Sequence, residues 1–121
     1  MRFMLIIRGD KDYEAGQPPN PALMKAVGEL MEKQTKAGVL VGGGGLYPSR
    51  DGALVTLARG KVTVKDGPFA EAKELIGGFA IVEVASKAEA VQMSRDFLQL
   101  HYDILGPTYE GISEVRQMHE E

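Results

Sequence analysis

The densest set of chemically capable side chains lies in one stretch, Asp66-Gly67-Pro68-Phe69-Ala70-Glu71-Ala72-Lys73-Glu74. Carboxylates, an amine and an aromatic ring surround a bend that a strand cannot cross. Gly67 tolerates positive φ, and Pro68 has no N–H to give to a ladder. A carboxylate serves as a general base when desolvation or a like-charged neighbour raises its pKa, and Asp66 is the candidate. Glu71 and Lys73 could bind complementary groups on a ligand or pair with each other. Phe69 could line an apolar pocket or plug the core. The bland alternative for the whole stretch is a turn with a buried ring and solvated charges.

Other candidates are scattered. Arg8 closes the apolar run Phe3–Ile7, where it could grip a carboxylate in a bidentate fork or form an ordinary ion pair. Tyr13 and Tyr47 are loop aromatics whose phenols could donate to a ligand. His101 and His119 are the only histidines. His101 and Asp103, just beyond a predicted helix, could meet as an acid–base pair if the turn is tight. A solvated helix exit is the alternative, and His119 lies in a frayed tail. Gly42 to Gly45 suggest a phosphate loop, but such a loop needs a Lys-Ser/Thr pair opening a helix, and Leu46-Tyr47-Pro48-Ser49 follows instead. The glycines point rather to a bulge or to a close approach by another backbone or a ligand.

Composition narrows the classes. The chain has 121 residues and no cysteine, which excludes disulfides, thiolate nucleophiles and Cys-based zinc sites. With no close histidine pair and no oxygen-ligand motif, neither metal nor cofactor is expected. A net charge of −3 gives no basic footprint for nucleic acid. No apolar run approaches the ~20 residues that span a bilayer, so no membrane partner is expected. The apolar N-terminal run stops at Arg8-Gly9-Asp10, too short for a signal segment, and a cytoplasmic location follows.

The elements that must position these groups read as one domain over residues 1–121. Phe3–Ile7 is a strand apolar on both faces. A polar loop runs from Lys11 to Asn20. Asn20 caps a helix with Pro21 at its first position and Gly38 just past its end. Leu23, Val27, Leu30, Met31 and Gln34 form its packing face, while Glu29–Lys33 and Glu32–Lys36 are i,i+4 pairs on the other. Val39–Val41 starts a strand that runs into the glycines. Ala53–Ala58 and Lys61–Lys65 form a hairpin about Arg59-Gly60 with one wet face. Phe79–Val84 is a second strongly apolar strand. A capping box of Ser86 and Glu89 opens a helix from Lys87 to about Gln99, with Ala90, Val91, Ser94, Phe97 and Leu98 inward. Ile112–Met118 is the last strand. Two helices cover one face of such a sheet, so the other needs a partner, and a second copy is the simplest one.

Asp66 to Glu74 resembles the DGPFAETKE signature of the DGPF group within the YCII-related superfamily, with Ala72 in place of the usual Thr. Leu75-Ile76-Gly77-Gly78-Phe79 and the Glu114-Val115-Arg116 strand are also similar. The resemblance implies an α+β, ferredoxin-like fold, two helices on one face of its sheet, pairing into a dimeric α/β barrel, with the hairpin an addition. Some YCII-related proteins carry a His–Asp pair proposed to be catalytic. No histidine here precedes His101, so that pair does not transfer to the first half of the chain. The expectation is a small homodimer binding an unidentified small molecule near Asp66–Glu74, with Asp66 moving a proton. Alternatively the stretch is architectural, with Pro68 and Phe69 locking the hairpin and Glu71 or Lys73 bridging the dimer. The resemblance also suggests a regulatory interaction protein of the sigma-factor-associated type, and fold analogy alone suggests a cofactor-free oxygenase.

Overall fold

In a computed structural model, residues 1–9, 11–69 and 75–120 are described, Lys11 by its backbone alone. The elements run β1 (Arg2–Arg8), α1 (Lys11–Glu14), α2 (Pro21–Lys36), β2 (Leu40–Gly45), a 3-10 turn (Ser49–Asp51), β3 (Ala53–Ala58), β4 (Lys61–Asp66), β5 (Ile76–Glu83), α3 (Lys87–Leu105) and β6 (Ser113–Gln117). Four strands form an antiparallel sheet in the order β2-β5-β1-β6, and β3 and β4 pair separately. The two sheets and three helices make a mixed α+β architecture compatible with a ferredoxin-like fold, without a closed barrel among the described residues.

Strand alternation sorts the side chains. Phe3, Leu5, Leu40 and Val82 lie on one side and are buried with Ala90 of α3. Met31 of α2 and Met93 of α3 pack on this same cluster, so both long helices cover that side. The register puts Met4, Ile6, Phe79 and Ile81 on the opposite side. They are half-buried, with no helix over them among the described residues. This uncovered apolar face is why β1 and β5 read as apolar throughout rather than alternating.

Local signals held where chemistry is local. The Asn20 carboxamide accepts from the N–H groups of Ala22 and Leu23 at 2.8 and 3.1 Å, and Gly38 takes φ 75° past the end of α2. The Ser86 hydroxyl accepts from Glu89 N–H at 3.3 Å, while the Glu89 carboxylate reaches back to Ala85 N–H. The glycine strand shows a bulge and, of the two close approaches expected, that of another backbone. A register shift between Leu40 and Gly42 leaves Val41 as a bulge, and Gly43, at φ 137°, lies hard against the β5 backbone.

Several expectations need correction. The Lys11–Asn20 loop contains the short helix α1. Helix α3 continues to Leu105, so His101 and Asp103 are helical. Residues two apart on a helix do not share a face, and the pair does not meet. His101 Nδ1 lies 2.8 Å from the Phe97 carbonyl and its ring stacks on Tyr109, while Asp103 accepts from Gln99. Met93, not Val91, completes the inner face of α3, because Val91 is exposed. Glu29 approaches Lys25 rather than Lys33. In the hairpin both faces are wet, not one.

Candidate functional site

Two polar clusters lie at the end of the sheet where β1 finishes. The first is built on Glu14, the last residue of α1. Its carboxylate accepts from Ser49 N–H at 2.8 Å and from the Ser49 hydroxyl. Ser49 is buried, and its Oγ in turn accepts from Phe69 N–H at 3.3 Å. One hydroxyl therefore ties α1 to the first turn of the Asp66 stretch. The hydrogen bonds from Ser49, hydroxyl first and then amide, hold the Glu14 carboxyl below the usual carboxylate range, with the Arg50 guanidinium helping. A carboxylate that accepts from a serine hydroxyl in this way orients it, and among the described residues no histidine stands by to take its proton.

Glycines let these pieces close up. A side chain on Gly67 would run into the Ser49 carbonyl, and one on Gly16 into the Arg50 guanidinium. Gly52 N–H caps the 3-10 turn by donating to the Ser49 carbonyl at 2.9 Å, and its own carbonyl accepts from Gly67 N–H, also at 2.9 Å. The Gly67–Pro68 peptide is cis. Tyr13 sits half-buried beside Gly9, where a Cβ would meet its ring at 3.3 Å. Burial pushes the Tyr13 phenol up, against a backbone hydrogen bond at Leu46 that pulls it down.

The second cluster lies on the uncovered sheet face. Arg8 Nη2 donates to Glu114 Oε1 at 2.7 Å, and Arg116 Nη1 to Glu114 Oε2 at 2.9 Å. The Arg116 hydrogen bond and the two guanidinium charges hold the Glu114 carboxyl down, against the desolvation that opposes them. Glu114 stands directly opposite Ile6, and Arg116 opposite Met4. The ion network thus borders the apolar row of Met4, Ile6, Phe79 and Ile81.

Placed on this frame, the sequence candidates separate. Arg8 belongs to the sheet-face network. Tyr13 and Phe69 belong to the Glu14–Ser49 cluster, joined to Arg8 through Gly9. Asp66 ends β4, exposed, opposite Ala53. Tyr47 is 87 % exposed on the loop after β2. Glu71 and Lys73 lie outside the described residues. Sequence reasoning missed Glu14, Ser49, Glu114 and Arg116 as site residues. Glu14 and Ser49 are 35 positions apart in stretches without periodicity, so no spacing rule links them. No cluster of three or more His, Asp or Glu suited to a metal ion is present among the described residues.

Similarity to known proteins agrees with this framework. The model of the YCII-related domain matches residues 1–97, which hold β1 to β5 and the first half of α3. The chain belongs to the YCII-related family. It is also similar to an uncharacterized protein of Rhizobium meliloti (strain 1021), 35% identical over 74 residues, which cover 61% of this chain and 60% of that protein. The match therefore spans under two thirds of that relative. In this YCII-related chain, Glu114 and Arg116 lie beyond the matched segment, on a strand contributed by the C-terminal residues.

Proposed function

We propose that this YCII-related chain is a cytoplasmic, homodimeric small-molecule-binding protein of the DGPF group. Its ligand is held near the Asp66–Glu74 stretch, and Asp66 serves as a base for proton transfer. The observation that carries this reading is the junction at the end of β1. A guanidinium network borders an apolar shelf, and the Glu14–Ser49–Phe69 tether fixes the start of the Asp66 stretch to α1, the helix that follows Arg8 in the chain. Small-molecule sites are concave, mostly apolar and edged by a few oriented polar groups, a form this shelf would take once a second copy closes over it. A ligand with a carboxylate and an apolar body matches this junction, with Arg8 gripping the acid and Phe79 and Ile6 taking the rest.

The same face supports the homodimer. Met4, Ile6, Phe79 and Ile81 lie outside the helical layer, and a second sheet in a dimeric α/β barrel would cover them and enclose the ligand. Asp66 is exposed in the single chain. A useful base at neutral pH needs shelter from water, which the ligand or the second copy would supply. No helix among the described residues is long and apolar enough to cross a membrane.

The test is a thermal-shift screen of wild type, Asp66→Asn and Arg8→Gln against small carboxylic acids and their neutral amides. At about 100 times its dissociation constant a ligand adds roughly 2.7 kcal/mol, enough to move the midpoint by several degrees. Acids that stabilise the wild type but neither variant would support the site. If Asp66→Asn binds nearly as well as wild type, Asp66 has no role in it.

A further inference from the structure

Hydrogen bonds hold the Asp66 stretch at either end. Gly67 N–H donates to the Gly52 carbonyl at 2.9 Å, and just past the stretch the Leu75 carbonyl accepts from Gly9 N–H at 2.8 Å. Both join backbone groups, which do not titrate. The bond at Phe69 differs. Its N–H donates at 3.3 Å to the buried Ser49 hydroxyl, which itself donates to the Glu14 carboxylate. Glu14 also accepts from Ser49 N–H at 2.8 Å, so one ionisable side chain holds Ser49 by two bonds. The Phe69 ring lies at the base of the hairpin, where a Cβ on Gly52 would come within 3.6 Å of it.

Among the described residues, charged and titratable groups face Glu14 from two elements. Tyr13 is its neighbour on α1. The 3-10 turn brings Arg50, whose charge favours the carboxylate and whose own partner is Asp51 at 3.9 Å. Removing the charge on Glu14 weakens both bonds to Ser49, because hydrogen bonds to an ionised acceptor are roughly twice as strong as neutral ones. A proton on Oε2 also turns the bond to the Ser49 hydroxyl round. The Ser49 hydrogen is then left with the Phe69 carbonyl, 3.5 Å away and at the limit of a hydrogen bond.

We propose that Glu14 is a proton-operated latch. As a carboxylate it holds Phe69 through Ser49, and on protonation it lets the start of the Asp66 stretch go while the rest of the fold stays closed. The bonds at Gly67 and Leu75 do not titrate, so release is confined to the Phe69 end. Hydrogen bonding from Ser49 keeps the Glu14 carboxyl below its ordinary value of 4.5. A depressed carboxyl stays charged until the pH falls through its folded value, so the latch holds at neutral pH and opens only in acid. The latch stands on the Glu14, Ser49 and Phe69 contacts alone. Its bearing on the ligand rests on the site proposed above, where release would lower affinity in acid.

The chain has no tryptophan, so Phe69→Trp places a single reporter on the latch. Its emission, excited where tyrosine does not absorb, should move to the red below about pH 4.5 while far-UV circular dichroism stays native. The released population should grow by up to about tenfold per pH unit, the slope of one proton. Adding Glu14→Gln should abolish the response to acid, because glutamine bonds Ser49 without titrating. Adding Ser49→Ala should give the red emission already at neutral pH. The Phe69 amide resonance of the wild-type chain reads the same event without the indole, and it should titrate there but not in Glu14→Gln. Emission and resonance that stay flat until the circular dichroism collapses would overturn the latch. So would a response to acid that survives Glu14→Gln. Neither readout involves a ligand, so this failure would leave the proposed site standing. A thermal-shift screen without a hit would sink that site and leave the latch.

Discussion

Gly43 and Gly44 are neighbours in β2, yet replacing each by alanine should have opposite effects. Gly43 adopts φ 137°, a region open essentially to glycine, and forcing another residue there costs about 1–3 kcal/mol. Its new Cβ would also strike the Phe79 carbonyl and stand 2.8 Å from Ala80 Cα. Both obstacles are backbone of the paired strand β5, so no rotamer change relieves them and β2 must lift off its ladder. Adding the loss of even one or two ladder hydrogen bonds, at about 1 kcal/mol each, brings Gly43→Ala to roughly 3–4 kcal/mol. For a domain of this size that corresponds to a melting point lower by about 10–20 °C. A methyl added at Gly44 would meet nothing within 4 Å, and this residue has no positive φ, so Gly44→Ala should be neutral or up to about 1 kcal/mol stabilising. Circular dichroism melts at matched concentration read both. A Gly43→Ala protein melting within 2–3 °C of wild type (about 1 kcal/mol or less) would refute the assigned register of β2 on β5. Gly44 lies on the uncovered face opposite Phe79, so its behaviour has a second use. Destabilisation that grows with protein concentration would show a surface packing on that face.

Two further expectations follow from single side chains. The Glu14 carboxyl is held below its ordinary value of 4.5 by Ser49. A depressed folded-state pKa contributes stability that is full above the unfolded value and is lost as pH falls through the folded one. Urea melts below about pH 4.5 should therefore show wild type losing stability faster with acid than Glu14→Gln, and parallel curves would mean that Glu14 is not tethered to Ser49. Gly28 lies in the exposed interior of α2 with open space around it. Gly28→Ala should raise stability by about 0.8–1.0 kcal/mol through helix propensity alone, and a lower melting point would show an unseen contact on that face.

What was legible in the sequence was local or periodic. Asn20-Pro21, Gly38 and Ser86–Glu89 are short-range devices, and each appears where its chemistry demands. The Arg59-Gly60 turn was equally readable, since both residues take positive φ in the tight hairpin. The end of α3 was misplaced because the polar run His101-Tyr102-Asp103 resembles an exit. What extends the helix is aromatic packing: His101 sits between Phe97 and Tyr109, a contact made only after the chain returns. The site was less legible for the same reason. Arg8 is legible as a cation at a strand end, but its partner Glu114 comes 106 residues later. Ser49 looked like turn punctuation until Glu14 was placed against it.

The partners of Arg8 and the exposure of Asp66 bear on how the proposed site would work. Arg8 already engages Glu114, and Asp66 stands in water, so the single chain holds its candidate groups apart or occupied. A ligand carboxylate taking Arg8 would have to compete with Glu114, whose hold on Arg116 gives that carboxylate a second place to rest. The exchange is therefore less costly than breaking an isolated buried pair, because Glu114 keeps one guanidinium throughout. Removing Arg116 takes away that alternative. Arg116→Gln should thus tighten Glu114 onto Arg8 and weaken carboxylate binding, even though residue 116 need not touch the ligand. Isothermal titration with the best acid from the screen would decide it. Unchanged affinity in Arg116→Gln, with affinity lost in Arg8→Gln, would show that Glu114 never leaves Arg8 and that the ligand reads another edge of the guanidinium.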